Sequence, residues 1–294
     1  MDFYVGKMHY GMFDTLRFGL VDEHNDYGHP IYFARASDPA YAVSCTASWQ
    51  TCSSFSSLRF HLPSYAQPAG GSDHHLTSID VDTQDELDCW AVESIKDGVI
   101  TAGACDHGSA TGDGLGFGQT AAGYAQWAGV IRADELASGV IPHALFVVAP
   151  CTSNASPVYP SNWRETDTQC PNGGGFPYGE RMWLSMPLPQ IEALVLPHYD
   201  KAILIAMHDY GAYQGDTNNG GSFSFSVEPD VMYSAAGYKN PDCPTNGAPC
   251  TPLTAYFHDL GDPGWAGNWY NIDLSSAVDW SKYLQFLSPP PQPQ

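Results

Sequence analysis

Eight cysteines in a chain of 294 residues constrain the fold more than any other feature. They fall as near neighbours: Cys45 with Cys52, Cys89 with Cys105, Cys151 with Cys170, and Cys243 with Cys250. A chain of this length can bury a sufficient core without cross-links. The cysteines therefore point to an oxidising compartment rather than to a shortage of apolar surface. Structural zinc would call for more closely spaced cysteine pairs, and none of these spacings fits. Local disulfides in an exported protein are the expectation. The opening residues Met1-Asp2-Phe3-Tyr4 carry neither a basic nor an apolar signal region, so an exported form is expected to have lost its signal peptide. No apolar run is long enough to span a membrane.

The clearest local structure lies beside one cysteine pair. Asp97-Gly98 sits between two strand-like runs, 86–95 and 99–104, a strong hairpin-turn signal. With the turn there, Cys89 and Cys105 fall within one residue of register. A second turn at 81–84 would pair residues 74–80 with the same central strand. His75 would then face roughly Trp90, and Asp88 would face Thr77. In an alternating strand His75, Asp88 and Trp90 share one face, opposite Leu87, Cys89 and Ala91.

Further short strands are expected at 31–34, 144–149, 181–185, 222–227 and 269–272, separated by Gly, Pro and Asn clusters. Short helices are expected at 133–137, 189–194 and 199–210. On the last of these Tyr199, Ile203, Met207 or Ala206, and Tyr210 form one stripe, closed by Gly211. The sum is a mainly β fold, an antiparallel β-sandwich or jelly roll with a few short peripheral helices. One domain is expected over 1–287. The Pro-rich segment 288–294 reads as a tail or as a linker to a further module.

Charge limits the partners. The chain has 11 Lys and Arg against 32 Asp and Glu, a net charge of −21. Such a surface repels phosphate backbones, which argues against nucleic acid. It also disfavours polyanionic glycans and favours neutral or cationic ligands.

Several groups could carry chemistry. His75, Asp88 and Trp90 could floor a sugar-binding cleft, the ring stacking on a sugar face and the carboxylate accepting from hydroxyls. The bland alternative is a structural His–Asp hydrogen bond beneath a core Trp. His143 enters an apolar strand, either as a base, as a metal ligand, or as a satisfied core histidine. Glu228 ends an alternating run with Ser224 and Ser226, and Asp216 precedes it. Asp88 with Glu228 could form the carboxylate pair of a glycoside hydrolase. The glycine-rich stretch 112–118 lacks the context of a nucleotide-binding loop and is expected to line a cleft, with Asp113 at its tip. Tyr124 and Trp127 could supply sugar subsites or simply pack in the core. Arg181 could neutralise a uronate in a lyase. Residues 80–85 partly resemble a calcium loop, which makes calcium a candidate structural ion beside the default of a solvated acidic turn. A transition metal held by His75 and His143 is a further alternative. No GxSxG or HExxH sequence occurs.

The ordered set Asp73-His74-His75, Asp88-Cys89-Trp90, His143-Ala144-Leu145, Tyr210-Gly211, Asp216 and Glu228 resembles a family of uncharacterised secreted bacterial proteins, many of them actinobacterial, over about residues 70–285. The resemblance implies secretion and one continuous mostly-β domain, and it implies no particular chemistry.

These readings converge on a secreted carbohydrate-active enzyme that degrades polysaccharide. Asp88 and Glu228 would be its acid/base pair, positioned or tuned by His75 and His143. The rivals are a polysaccharide lyase using His143 or a Tyr with Arg181, a metal-dependent enzyme, and a non-catalytic glycan-binding domain.

Overall fold

The computed structural model describes residues 16–17, 28–50, 52–112, 114, 117–161, 170, 175–218, 223–229, 231–237, 271–272, 274 and 276–287. Its strands are β1 (Leu16–Arg17), β2 (Ile31–Ala34), β3 (Ala40–Cys45), β4 (Phe60–His61), β5 (Leu76–Asp80), β6 (Asp85–Lys96), β7 (Val99–Ser109), β8 (Leu145–Ala149), β9 (Arg181–Leu184), β10 (Ala212–Thr217), β11 (Ser224–Phe225), β12 (Asn271–Ile272) and β13 (Leu284–Leu287). Its helices are α1 (Ala133–Ser138), α2 (Leu188–Glu192), α3 (His198–Asp209), α4 (Val231–Ala235) and α5 (Trp280–Tyr283). The fold is mainly β with few short helices, as the sequence predicts. The expected all-antiparallel pairing is corrected: β2 with β5, β3 with β7, and β8 with β10 run parallel. Parallel pairing needs partners distant in sequence, and local turn signals do not report it.

The chain divides into two compact units. One contains residues 18–120 and 228–269, and is built on a six-stranded sheet of order β2-β5-β6-β7-β3-β4. The β6–β7 hairpin is its spine. Asp97 and Gly98 both have positive φ, 51° and 75°, as a two-residue turn matched to strand twist requires. Cys89 and Cys105 lie directly opposite each other and form a disulfide, the predicted pairing and register. Cys45–Cys52 and Cys151–Cys170 are also bonded, whereas Cys243 and Cys250 lie outside the described residues.

On one face of this sheet Leu76, Leu87, Cys89, Val92, Ile100, Ala102 and Cys105 pack with Tyr32, Val43, Phe55, Phe60 and Leu62. The sheet curls around this core. Its edge strand β4 packs against β5, which is four positions away in the strand order. The Ser78 hydroxyl donates to the His61 carbonyl across that junction. Curling brings together residues that neither turn signals nor strand order place side by side.

The other unit takes residues 1–17, 121–227 and 270–294. Its five-stranded sheet has the order β11-β8-β10-β9-β13, and β1 pairs with β12 in a small separate sheet. Helix α3 packs on β9, burying Tyr199, Ala202, Ile203, Ala206 and Met207. Tyr210, expected on the same stripe, is exposed because the helix ends there.

Candidate functional site

The β5–β6 turn falls at residues 81–84 and pairs Thr77 with Asp88, as the sequence predicts. Asp88 is 1% exposed. Its Oδ1 accepts from the Thr77 hydroxyl at 3.0 Å, and its Oδ2 accepts from the Gln119 backbone N–H at 2.8 Å. His29 Nδ1 stands 3.6 Å from Oδ1. The His29 ring stacks on His75, with centroids 3.5 Å apart and planes inclined by 23°. Both histidines are buried, and neither Nδ1 has a hydrogen-bond partner among the described residues. Burial holds His75 well below the ordinary imidazole range, and the adjacent His29 adds to this. A hydrogen bond to the Cys89 backbone opposes the shift without cancelling it.

Directly opposite Asp88 in the β6–β7 ladder stands Asp106. Burial pushes the Asp106 carboxyl up to about 6, and the Asp88 charge pushes the same way against the N–H groups of His107 and Gly118. Two carboxylates thus stand opposite each other at one place in the sheet. The end of the glycine-rich stretch covers this place. Gly118 and Gln119 donate their N–H groups to Asp106 and Asp88. The Phe117 ring lies against Gly108, where a Cβ would come within 2.3 Å of it.

Sequence reasoning missed both His29 and Asp106. Asp106 was within reach, because the Cys89–Cys105 register already places it opposite Asp88. His29 was not. It arrives through the parallel β2–β5 pairing, whose register of Ile31 with Thr77 continues back to His29 beside His75.

Trp90 is half-buried. Its ring lies over Gly103 and packs at 6.0 Å, tilted by 42°, against Trp49, which is 61% exposed. At this end of the hairpin His74 and Ala91 both have positive φ, 42° and 53°. The Ala91 N–H donates to the Asp73 carbonyl, and the Val92 N–H to the His74 carbonyl. Side chains pay a steric penalty in that region, and the paired backbones hold them there.

Glu228 belongs to the same unit, is buried, and accepts a hydrogen bond from the Tyr233 hydroxyl. His143, Tyr124, Trp127, Arg181 and Asp216 belong to the other unit. His143 is a satisfied histidine: Nε2 meets Glu135 at 3.1 Å and Nδ1 meets the Ala144 carbonyl at 2.9 Å. Burial tends to raise the Glu135 carboxyl, but His143 and the Arg132 N–H more than offset this and hold it below its usual range. Arg181 donates through Nε and Nη2 to the Tyr210 carbonyl at the end of α3, and lies over the Tyr213 ring. Tyr124 packs edge-on against Phe146 in a core cluster, and Trp127 receives the Arg132 guanidinium on its face. Asp216 Oδ1 accepts from the Thr217 N–H. Asp113 lies outside the described residues, as does the 288–294 tail.

A second polar site lies where β4 meets β5. Asp80, buried, accepts from the Asp82 and Thr83 N–H groups on Oδ1 and meets His61 Nδ1 at 2.5 Å on Oδ2. Burial tends to raise Asp80, but the Thr83 N–H, His61 and the Asp82 N–H together hold it below the usual carboxylate range. The acidic turn at 80–85 is thus organised by backbone N–H groups, and Asp82 is engaged with the Ala36 N–H and Arg35. A small pocket opens here, lined by Arg59, Phe60, His61, Ser78, Asp80, Thr83 and Asp85.

Among the described residues, the one group of three potential metal-ligand atoms is the sulfurs of Cys45, Cys52 and Cys105, all of which are in disulfides. No described helix is long and apolar enough to cross a membrane. No protein-family model, curated protein or solved structure matches the chain.

Proposed function

We propose that the chain is an extracellular glycan-cleaving hydrolase in which Asp88 and Asp106 form the working carboxylate pair. One observation carries this reading: the two carboxylates are opposed in register, and the Asp106 carboxyl is raised to about 6. A glycosidase needs one carboxyl that keeps a proton near neutral pH and one that stays negative beside the developing oxocarbenium ion. Asp106 is half-buried and is the member that a substrate meets, so it is the proton donor. Asp88, held by Thr77 and Gln119, supplies the negative charge. His29 Nδ1 stands 3.6 Å from Asp88 Oδ1, with the His75 ring stacked on it. The net charge of −21 favours a neutral or cationic glycan.

The test is reducing-end release from a panel of neutral and amino-sugar polysaccharides. Asp106→Asn and Asp88→Asn should each lower turnover by about a hundredfold or more. Unchanged turnover in Asp106→Asn removes the mechanism.

A second reading has its own support. The exposed Trp49 beside Trp90 offers stacking faces of the kind that bind sugar rings without cleaving them. Retention of a polysaccharide with no product release would favour a glycan-binding domain instead.

A further inference from the structure

We infer that the pocket at the β4–β5 junction is a general-base site, with His61 as the base and Asp80 as the residue that positions it, acting on neutral acyl esters. Asp80 is held ionised by two backbone N–H groups, so His61 Nδ1 must carry the proton in the bond between them. In the neutral imidazole, the form a general base uses, the lone pair is then on Nε2. That nitrogen has no hydrogen-bond partner among the described residues, and His61, unlike Asp80, is partly open to solvent. A histidine oriented by a buried carboxylate, with its other nitrogen unengaged and its side chain partly open to solvent, is the arrangement a general base requires. His75 and His143 lack it: one is sealed in the sheet, and the other has both nitrogens engaged.

The lining selects the substrate. Arg59 donates through Nη1 to the Leu58 carbonyl and keeps further guanidinium N–H groups for an oxygen that gains charge, and Asp85 in the same lining disfavours an anionic ligand. Ser78 does not serve as nucleophile, because its hydroxyl donates to the His61 carbonyl. The nucleophile in this proposal is water. Its proton passes to His61 Nε2 while its oxygen bonds to the acyl carbon. The carbonyl π pair moves onto oxygen and returns as the ester C–O bond breaks; the alkoxide leaves with the bonding pair and takes the proton from Nε2 to become the alcohol. The site stands apart from the Asp88–Asp106 pair and does not depend on the glycan reading.

The experiment is hydrolysis of p-nitrophenyl acetate by the full chain at pH 7.5, beside His61→Gln and Asp80→Asn. His61→Gln should lose about tenfold or more of the rate, and the rate that remains measures the other histidines. Asp80→Asn should lower kcat with little change in KM. It should also shift the His61 ring, read by 15N NMR, away from the Nδ1–H tautomer. If His61→Gln does not fold, diethyl pyrocarbonate inactivation of the wild type, with the modified histidine located by peptide mapping, replaces it. An unchanged rate in His61→Gln, or inactivation that tracks a different histidine, overturns the assignment.

Discussion

Asp88 and Asp106 stand directly opposite each other in the β6–β7 ladder, one residue pair beyond the Cys89–Cys105 bridge. Their opposition makes each a test of the other. Asp88→Asn removes the neighbouring charge but not the burial, so the Asp106 carboxyl should fall part of the way from about 6 toward its ordinary value of 3.8. Titration of the Asp106 side-chain carbon by NMR in wild type and variant checks this. No movement would mean that burial alone raises Asp106.

The same raised carboxyl affects stability. Folded Asp106 holds its proton to higher pH than the unfolded chain does, so its favourable contribution is complete below about pH 4 and is lost as pH rises through about 6. Asp106→Asn should therefore be more stable than wild type at pH 7.5, by about 1–2 kcal/mol after allowance for solvent screening, and no more stable at pH 4. Urea midpoints at the two pH values decide it.

His75 works in the opposite direction. Its folded form resists protonation, while the unfolded chain takes a proton at about the ordinary value of 6.5. Stability from this residue is present above that pH and is lost as pH falls below it. Between about pH 4 and 6 the slopes of His75 and Asp106 oppose each other, so wild type should look flatter than either single variant. His75→Gln should therefore gain stability relative to wild type as pH falls, measured by urea denaturation from pH 7.5 down to 5. An unchanged acid limb would mean that another group titrates there.

What the sequence made legible was the local part of this site. The Asp97-Gly98 turn, the 81–84 turn and the cysteine register all come from residues close in the chain, and together they place Asp88 against Thr77. The partners that complete both polar sites come from non-local pairing. His29 reaches His75 through a parallel strand pair, and His61 reaches Asp80 because the sheet curls until its edge meets β5. Hydrophobic alternation reports which face a residue occupies, not which distant strand lies beside it. His143 and Arg181 had the residue types of a site, yet Glu135 and the Tyr210 carbonyl occupy their nitrogens. Side-chain type does not announce that a buried polar group is already satisfied.

Gly108 tests the cover over the carboxylate pair. A Cβ at this position would lie 2.3 Å from the Phe117 ring, so Gly108→Ala cannot be accommodated without moving that ring. Phe117 precedes the two residues whose N–H groups reach Asp106 and Asp88. The substitution should cost about 1–3 kcal/mol of stability by overpacking. It should also speed amide hydrogen exchange at Gly118 and Gln119, while the Cys89–Cys105 end of the hairpin stays protected. Exchange that rises across the whole hairpin would mean that Phe117 packs the sheet as a unit. Exchange that rises only at 118–119 would show that hydrogen bonds from this short segment can be released from the carboxylates while the hairpin beneath them stays formed.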